Sequence, residues 1–191
     1  MKTINLIMIT AGATCIMQAC HNGSNKATTT DTTTTTTAEV TKTDSSKMLP
    51  DTGDVSFAKK AAQGGVTEIA LSKLELQSSN NKIKDFANMM VTDHTDAGNK
   101  LTAISMAENI TLPTLPDTVQ QATITNLSQK TGTDLNKAYV AQMIIDHKNT
   151  IAMFEAAQKT VKDTTLKQFI TATLPTLHKH MDAINAIKSG M

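Results

Sequence analysis

Residues 86–94 read FANMMVTDH, and residues 139–147 read YVAQMIIDH. The two stretches align without a gap, and an aromatic residue, Met, an aliphatic residue, Asp and His recur at matching offsets. Their apolar residues recur every three or four positions, which is the spacing of a helix that packs against other helices. The repeat therefore predicts two related helices, one in each half of a helical domain.

The same periodicity extends on both sides of this repeat and predicts an all-α domain over residues 54–191. Four long helices are expected, with a short helix in the connection between the second and the third. In chain order the helices cover residues 54–78, 82–108, 117–130, 134–159 and 164–188. Asp54 is expected to cap the first helix. Two antiparallel hairpins joined by one long crossover are typical of ferritin-like four-helix bundles.

The first twenty residues carry the pattern of an export signal. Lys2 precedes an apolar stretch over residues 4–17, which is too short to cross a bilayer. The stretch ends in MQAC, which resembles the lipobox of bacterial lipoproteins. This resemblance implies that residues 1–19 are a lipoprotein signal peptide and that Cys20 is lipidated. Ordinary signal cleavage, for example after Ala13, is the alternative and would leave a secreted protein.

Residues 20–53 are expected to be the lipidated cysteine followed by a disordered, Thr-rich linker, because almost none of their side chains can be buried. Lipidation would attach the protein to a membrane of the cell envelope through acyl chains. The sequence identifies no protein partner. Lys and Arg together number 18 and Asp and Glu 17, so no basic surface indicates nucleic-acid binding.

Several motifs of the helical region resemble a bacterial domain-of-unknown-function family, number 4142. They are FAKKAAQGG at 57–65 with Glu68, MVTDH at 90–94, AY at 138–139, DH at 146–147 and LPTL at 174–177 with His180. The resemblance covers about residues 54–188 and implies a ferritin-like fold. Because members are often labelled predicted outer-membrane proteins, it also implies an outer-membrane anchor, with the domain facing the periplasm. It implies no settled biochemical activity.

One polar residue on each long helix is expected to face the bundle interior; the four are Glu68, His94, His147 and His180. The first three are expected at a similar level, and His180 about one helical turn away. Burying such groups is costly unless they are paired. One explanation is a metal site for iron, zinc or copper, with Asp93 and Asp146 as outer partners. The other is a hydrogen-bonded network that fixes helix register without a ligand.

Two further patterns bear on the choice of metal. Ferritin-type di-iron sites use a Glu-x-x-His motif on two helices, and neither Asp93–His94 nor Asp146–His147 has this form. Glu68 is also the only carboxylate expected among the inward-facing residues. Di-iron oxidase chemistry is therefore not expected. Met90 and His94 share one helical face, as do Met143 and His147, and thioether with imidazole suits copper. Methionine is also a common filler of Ala-rich cores, so both interpretations of these residues stay open.

No nucleophile motif and no phosphate-binding glycine loop is present in the expected mature chain, so a non-enzymatic role is favoured. The leading hypothesis is an envelope lipoprotein with a binding or protective, stress-related function. The alternative is a periplasmic metal-binding ferritin-like protein, with or without redox activity. A third hypothesis is a partner-binding surface on the crossover, where Leu112 and Leu115 are expected to be exposed.

Two minor expectations concern single residues of the helices. Gly64 and Gly65 lie inside the first helix, where glycine is unfavourable, so close approach of another helix or of the polar residues is expected. Glu75, Glu108 and Glu155 are interpreted as ordinary charges on the helix flanks.

Overall fold

Five helices and no strands make up residues 49–191, which are the residues that the computed structural model describes. The helices are α1 (Thr52–Lys73), α2 (Asn81–Ala107), α3 (Thr118–Ser128), α4 (Gly132–Thr160) and α5 (Thr164–Ser189). The prediction of an all-α domain is therefore confirmed. The predicted signal peptide, Cys20 and most of the predicted linker lie outside the described residues. Within residues 49–191, no helix has the length and apolar character needed to cross a membrane.

Side-chain caps explain where most of the helices begin. Four helices follow a residue whose carboxylate or amide oxygen accepts a hydrogen bond from the first turn: Asp51, Asn80, Asp117 and Asp163. Such bonds satisfy backbone N–H groups that have no partner inside the helix. The prediction that Asp54 caps α1 is wrong, because Asp51 precedes the helix and accepts from Gly53 N at 2.8 Å.

Asp54 instead ties the start of α1 to the connection between α4 and α5. Its Oδ1 accepts from Lys162 N at 3.0 Å, and its Oδ2 accepts from Asp163 N at 2.8 Å. Nearby, Lys162 Nζ lies 2.6 Å from Asp51 Oδ2. Because the Asp54 side chain is buried, these two backbone donors supply the partners that its carboxylate needs.

The four long helices contact one another in a closed order. α1 packs against α2 and α4, and α5 packs against α4 and α2. The crossover between α2 and α4 contains α3, which lies against α1 and α4. Gln63 Nε2 holds the crossover to α1 by donating to Leu115 O at 2.9 Å and to Gln120 Oε1 at 2.7 Å. Residues 46–191 form one compact unit, so this part of the chain has its own core.

The core consists of two apolar clusters. The first includes Phe57, Leu101, Phe154, Leu166 and Phe169. The second includes Leu71, Phe86, Met90, Tyr139, Met143 and Ile184. Each long helix contributes to one cluster near one end and to the other near its opposite end, with a buried glutamate or histidine between them. The fold therefore places Glu68, His94, His147 and His180 in a polar layer between the two apolar clusters.

The end of the first helix differs from the prediction. α1 stops at Lys73 rather than near Ser78, and the chain continues in tighter turns in which Glu75 N donates to Ser72 O at 3.0 Å. The interpretation of Glu75 as a surface charge is wrong, because this residue is only 1 % exposed. The hydrogen-bonding groups around Asn136 favour the orientation in which its amide nitrogen faces Glu75. In that orientation the nitrogen donates to Glu75 Oε2 at 2.9 Å. Burial raises the pKa of Glu75.

Candidate metal centre

The four long helices bring one polar side chain each into the same layer of the core. Glu68 is 2 % exposed, His94 8 %, and His147 and His180 are fully buried. The ring of His180 nevertheless reaches the others, because its Nδ1 is 3.3 Å from His147 Nε2. Counted from the short α4–α5 connection, the two histidines differ by three residues, about 4.5 Å along a helix, and their long side chains span this offset.

Three of these residues form a compact group, here called the histidine cluster: His94, His147 and His180. One ring nitrogen of each lies within 4.8 Å of the corresponding nitrogens of the other two. The ring centroids are 5.3 Å apart for His147 and His180, 5.4 Å for His94 and His180, and 5.9 Å for His94 and His147. Three imidazoles from three different helices thus converge on one point.

Burial favours the neutral form of all three imidazoles. It lowers the pKa of His94 to about 3 and that of His147 to about 4, and the positive charge that a protonated His180 would carry adds to both shifts. Burial also lowers the pKa of His180, although its hydrogen bond to Asp93 acts in the opposite direction. At neutral pH each ring therefore carries one proton on one nitrogen and a lone pair on the other.

Hydrogen bonds determine which nitrogen carries the proton in two of the rings. His147 Nδ1 lies 2.9 Å from the backbone oxygen of Met143, and His180 Nε2 lies 2.8 Å from Asp93 Oδ2. A carbonyl oxygen and a carboxylate oxygen only accept hydrogen bonds, so each of these nitrogens donates. The remaining nitrogens, His147 Nε2 and His180 Nδ1, consequently direct lone pairs toward each other across 3.3 Å.

Glu68 lies behind two of the rings. Its Oε2 is 3.3 Å from His94 Nδ1, and its Oε1 is 3.4 Å from His147 Nδ1. On the far side of the third ring, His94 Nε2 is buried and has no hydrogen-bond partner among residues 49–191. Glu68 is not among the three residues whose candidate ligand atoms lie within 4.8 Å of one another, and its oxygens contact the Nδ1 atoms of His94 and His147. Burial raises the pKa of Glu68 well above its ordinary value, and the nearby Asp146 adds to the effect.

The two aspartates that precede the histidines have different surroundings. Asp93 accepts from His180, which is on another helix, and its side chain is 30 % exposed. Asp146 accepts from Gln142 Nε2 at 2.9 Å, and its Oδ2 is buried without a hydrogen bond within the described part of the chain. Burial raises the pKa of Asp146. Asp93 and Asp146 occupy matching positions in the repeated sequence, but their side chains have different partners.

The two methionines of the alternative copper set lie in the second apolar cluster. Met90 and Met143 are fully buried there, among aliphatic and aromatic side chains. Met143 reaches the histidine cluster through its backbone carbonyl, which accepts from His147. Their environment is that of core packing, in which flexible thioether side chains fill irregular space.

The donor set of the histidine cluster fits a divalent transition-metal ion. Neutral imidazole binds zinc, copper and iron, and a hydrogen-bond acceptor behind each ring is the usual companion of metal-ligating histidine. Bonds of about 2.0–2.1 Å in tetrahedral geometry separate ligand nitrogens by about 3.3 Å. His147 Nε2 and His180 Nδ1 are already at this separation. Among residues 49–191, only two carboxylates, those of Glu68 and Asp93, contact the histidines of the cluster, and the sequence has no Glu-x-x-His at these positions, so the residues do not fit a ferritin-type di-iron site.

A cavity of about 570 Å³ lies beside the cluster and is lined by His94, His180 and Glu68, among others. The crossover forms part of its wall, and Leu112 is partly buried there against the first apolar cluster. The prediction that Leu112 is exposed is therefore wrong, whereas Leu115 is 74 % exposed as predicted. Sequence reasoning missed the cavity and the buried Ser105 in its wall. The only available signal was that Ser105 continues the helical face of His94 and Leu101.

The fold and the histidine cluster define an all-α protein with a buried three-histidine centre. The chain belongs to the family described as "Domain of unknown function (DUF4142)", whose sequence model matches residues 32–187. The membership predicted from the motifs is thereby confirmed.

A solved structure with a similar fold is the "Crystal structure of DUF305 fragment from Deinococcus radiodurans". The TM-score is 0.66 at 12 % sequence identity, and the similarity covers 74 % of this chain and 99 % of that chain. At this identity the similarity concerns the fold alone. No curated protein matches the sequence.

Proposed function

We propose that this protein binds one divalent transition-metal ion, of the zinc, iron or copper group, through His94, His147 and His180. Glu68 and Asp93 act as the outer partners that orient the rings. A bound ion would supply Lewis acidity and, for iron or copper, redox chemistry. The proposal favours the metal-binding hypothesis over a purely protective or structural role for the polar layer.

One observation carries this proposal. The unprotonated nitrogens of His147 and His180 face each other at 3.3 Å, while the other nitrogen of each ring donates to an acceptor. Two lone pairs in a buried site repel one another unless a cation lies near both. A metal ion meets this requirement and also gives a partner to His94 Nε2, which has none among the described residues.

A hydrogen-bonded network without metal is supported less well. It would need an extra proton between His147 Nε2 and His180 Nδ1, so that one ring becomes a buried cation. Burial lowers the pKa of both rings and therefore opposes that proton. Such a network would also leave His94 Nε2 unpaired.

We further propose that the domain is a ferritin-like four-helix bundle on a lipid anchor in the cell envelope, with Cys20 held in the outer membrane and the bundle facing the periplasm. The hairpin–crossover–hairpin order of the helices supports the bundle. The anchor is supported by the MQAC motif and by the Thr-rich stretch that follows it.

The test is metal content and metal uptake of the unit Ser46–Met191, purified without chelator. We expect one equivalent of zinc, iron or copper, or uptake of one equivalent of added Zn²⁺ or Co²⁺, with Co²⁺ giving the absorption of a low-coordinate site. The double change His94→Ala, His147→Ala should abolish uptake. The matched control is His178→Ala, because His178 is also on α5 but its side chain is 53 % exposed.

A wild-type unit that is purified empty and takes up neither added Zn²⁺ nor added Co²⁺ would overturn the proposal. Equal uptake by wild type and the folded double variant would do the same, since the ion would then be bound elsewhere. Circular dichroism of each variant separates loss of metal from loss of fold.

The anchor is tested separately with the full chain. Replacing Cys20 by Ser should move the protein from the membrane fraction to the soluble fraction and remove the mass of the acyl groups. An unchanged membrane fraction would contradict lipidation at Cys20.

A further inference from the structure

The cavity beside the histidine cluster is a pocket that opens to solvent. Its volume is about 570 Å³, and exposed residues such as Lys60 and Asn99 form part of its lining. Its walls come from all four long helices and from the crossover, and they are mainly apolar. They include Ala61, Leu101, Leu112, Phe154, Phe169 and Leu177. Both the volume and the lining are those of pockets that hold small organic molecules.

Small residues create this space. Gly64 and Gly65 on α1 and Ala97 and Gly98 on α2 line the cavity. A Cβ at Gly64 would come no closer than 4.0 Å to Thr150 Oγ1, and one at Gly65 no closer than 4.0 Å to His94 Nδ1. A Cβ at Gly98 would meet nothing within 4 Å. The expected close approach of another helix is not found at these glycines, and the expected approach of a polar residue is limited to His94 Nδ1 at 4.0 Å, so the missing side chains leave room.

A buried hydroxyl without a partner lies in the wall at some distance from the histidines. Ser105 lines the cavity, is 1 % exposed, and its Oγ has no hydrogen bond within the described residues. Its backbone oxygen already accepts from Ile110 N at 2.8 Å, so the hydroxyl is the group that remains available. His94 and Ser105 are eleven residues apart on α2, which is about 16 Å along the helix. An unpaired buried hydroxyl is unfavourable, and a ligand oxygen would pair it.

We propose that this cavity binds an elongated, mainly hydrocarbon molecule whose hydroxyl or carbonyl oxygen pairs with Ser105. The mainly apolar walls suit a hydrocarbon body. Because His94 and Ser105 lie far apart along α2, a ligand that fills the cavity between them has to be extended. Binding does not require the metal ion, so this proposal and the metal proposal fail independently.

The test uses the metal-free unit Ser46–Met191 and the uncharged fluorescent probe N-phenyl-1-naphthylamine. We expect one saturable site per chain, from which decanol displaces the probe at a lower concentration than decane does. Non-saturable fluorescence would indicate adsorption to the surface and would overturn the proposal.

Two substitutions locate the site. Ala97→Leu places a larger side chain in the cavity and should weaken probe binding at least about tenfold, since the space for the probe is lost. Ala152→Leu is the matched control, because Ala152 is exposed on α4, and it should leave the affinity unchanged. Ser105→Ala should weaken displacement by decanol about five- to tenfold and leave displacement by decane unchanged.

Undiminished binding to a folded Ala97→Leu protein would place the probe elsewhere and overturn the proposal. An equal effect of Ser105→Ala on decanol and decane would show that the hydroxyl recognises nothing, and would overturn the ligand class. If the Ala97→Leu protein does not fold, the Ala61→Leu protein takes its place in the comparison, because Ala61 lines the same cavity from α1.

Discussion

His147 and His180 approach each other through two nitrogens that both lack a proton, at 3.3 Å. Each ring is held in this arrangement from behind, by the Met143 carbonyl and by the Asp93 carboxylate. The arrangement is unfavourable in the metal-free protein and favourable around a cation. The stability of the fold, its response to pH and its affinity for metal are therefore linked through the same side chains.

Stability of the metal-free protein should fall in mild acid. The pKa values of His94 and His147 are lowered to about 3 and about 4, against about 6.5 in the unfolded chain. Their contribution is fully present above pH 6.5 and is lost as the pH falls through the folded values, because the unfolded chain binds the protons first. We expect a loss of up to about 2–3 kcal/mol per pH unit near pH 5 in urea unfolding of Ser46–Met191. An identical slope in the His94→Gln, His147→Gln variant would contradict this assignment.

Glu68→Gln should separate stability from metal affinity. The raised pKa of Glu68 means that its contribution is present below its unfolded pKa of about 4.5 and is lost as the pH rises through the folded value. The amide removes this loss, so the metal-free variant should lose less stability than the wild type as the pH rises above 4.5. Its affinity for Zn²⁺ should fall about 10- to 100-fold, because the partner of His94 Nδ1 loses its charge. Paired urea unfolding and competition with a zinc indicator measure both effects, and an unchanged zinc affinity would exclude a role for Glu68 at the site.

Asp93→Asn should weaken metal binding while leaving the fold intact. Asp93 Oδ2 is the acceptor that orients His180, and removal of such partners typically costs about 10- to 100-fold in metal affinity. Asp96→Asn is the control, because Asp96 is exposed on the same helix and should have no effect. Competition titrations with Zn²⁺ compare the two variants. Equal affinities for both would argue against the hydrogen bond between Asp93 and His180.

Alanine at Gly64 or Gly65 should stabilise α1. Each added Cβ meets only one neighbouring atom, at 4.0 Å, and alanine is favoured over glycine inside a helix by about 0.5–1 kcal/mol. Gly132→Ala should have the opposite effect, since Gly132 has φ +55° and alanine in that conformation costs about 1 kcal/mol or more. Urea midpoints of the three variants test the contrast. Destabilisation by Gly64→Ala would mean that the glycines are required by packing.

Asp54→Ala should destabilise the protein by about 1–3 kcal/mol, because the backbone N–H groups of Lys162 and Asp163 lose their acceptor. Asp182→Ala, at an exposed position on α5, should change stability by less than about 0.5 kcal/mol. Thermal unfolding of both variants gives the comparison. A small effect of Asp54→Ala would mean that water replaces the carboxylate.

The helices could be predicted because their apolar periodicity is long and regular, and the repeat around His94 and His147 placed both residues on inward-facing stripes. The end of α1 was misplaced because the tight turns after Lys73 continue the same apolar pattern. The position of His180 along the bundle axis depends on the length of the three-residue connection between α4 and α5. Apolar periodicity within a helix contains no information about that length.

The details of the site were beyond the sequence for a different reason. Whether Glu68 faces the inner or the outer nitrogens of the rings is decided by side-chain orientation, and the proton positions follow from the Met143 carbonyl and from Asp93. The cavity arises from side chains that are absent, at Gly64, Gly65 and Gly98, and its extent depends on how closely four helices and the crossover approach one another.

The bonds from Asp51 and Asp54 to the α4–α5 connection also determine how the domain would respond to mechanical load. Tension on the backbone that precedes α1 would act on Lys162 and Asp163 across three hydrogen bonds that join residues more than 100 positions apart. A force that reaches the domain through its N-terminal side would thereby act on the α4–α5 hairpin as well as on α1.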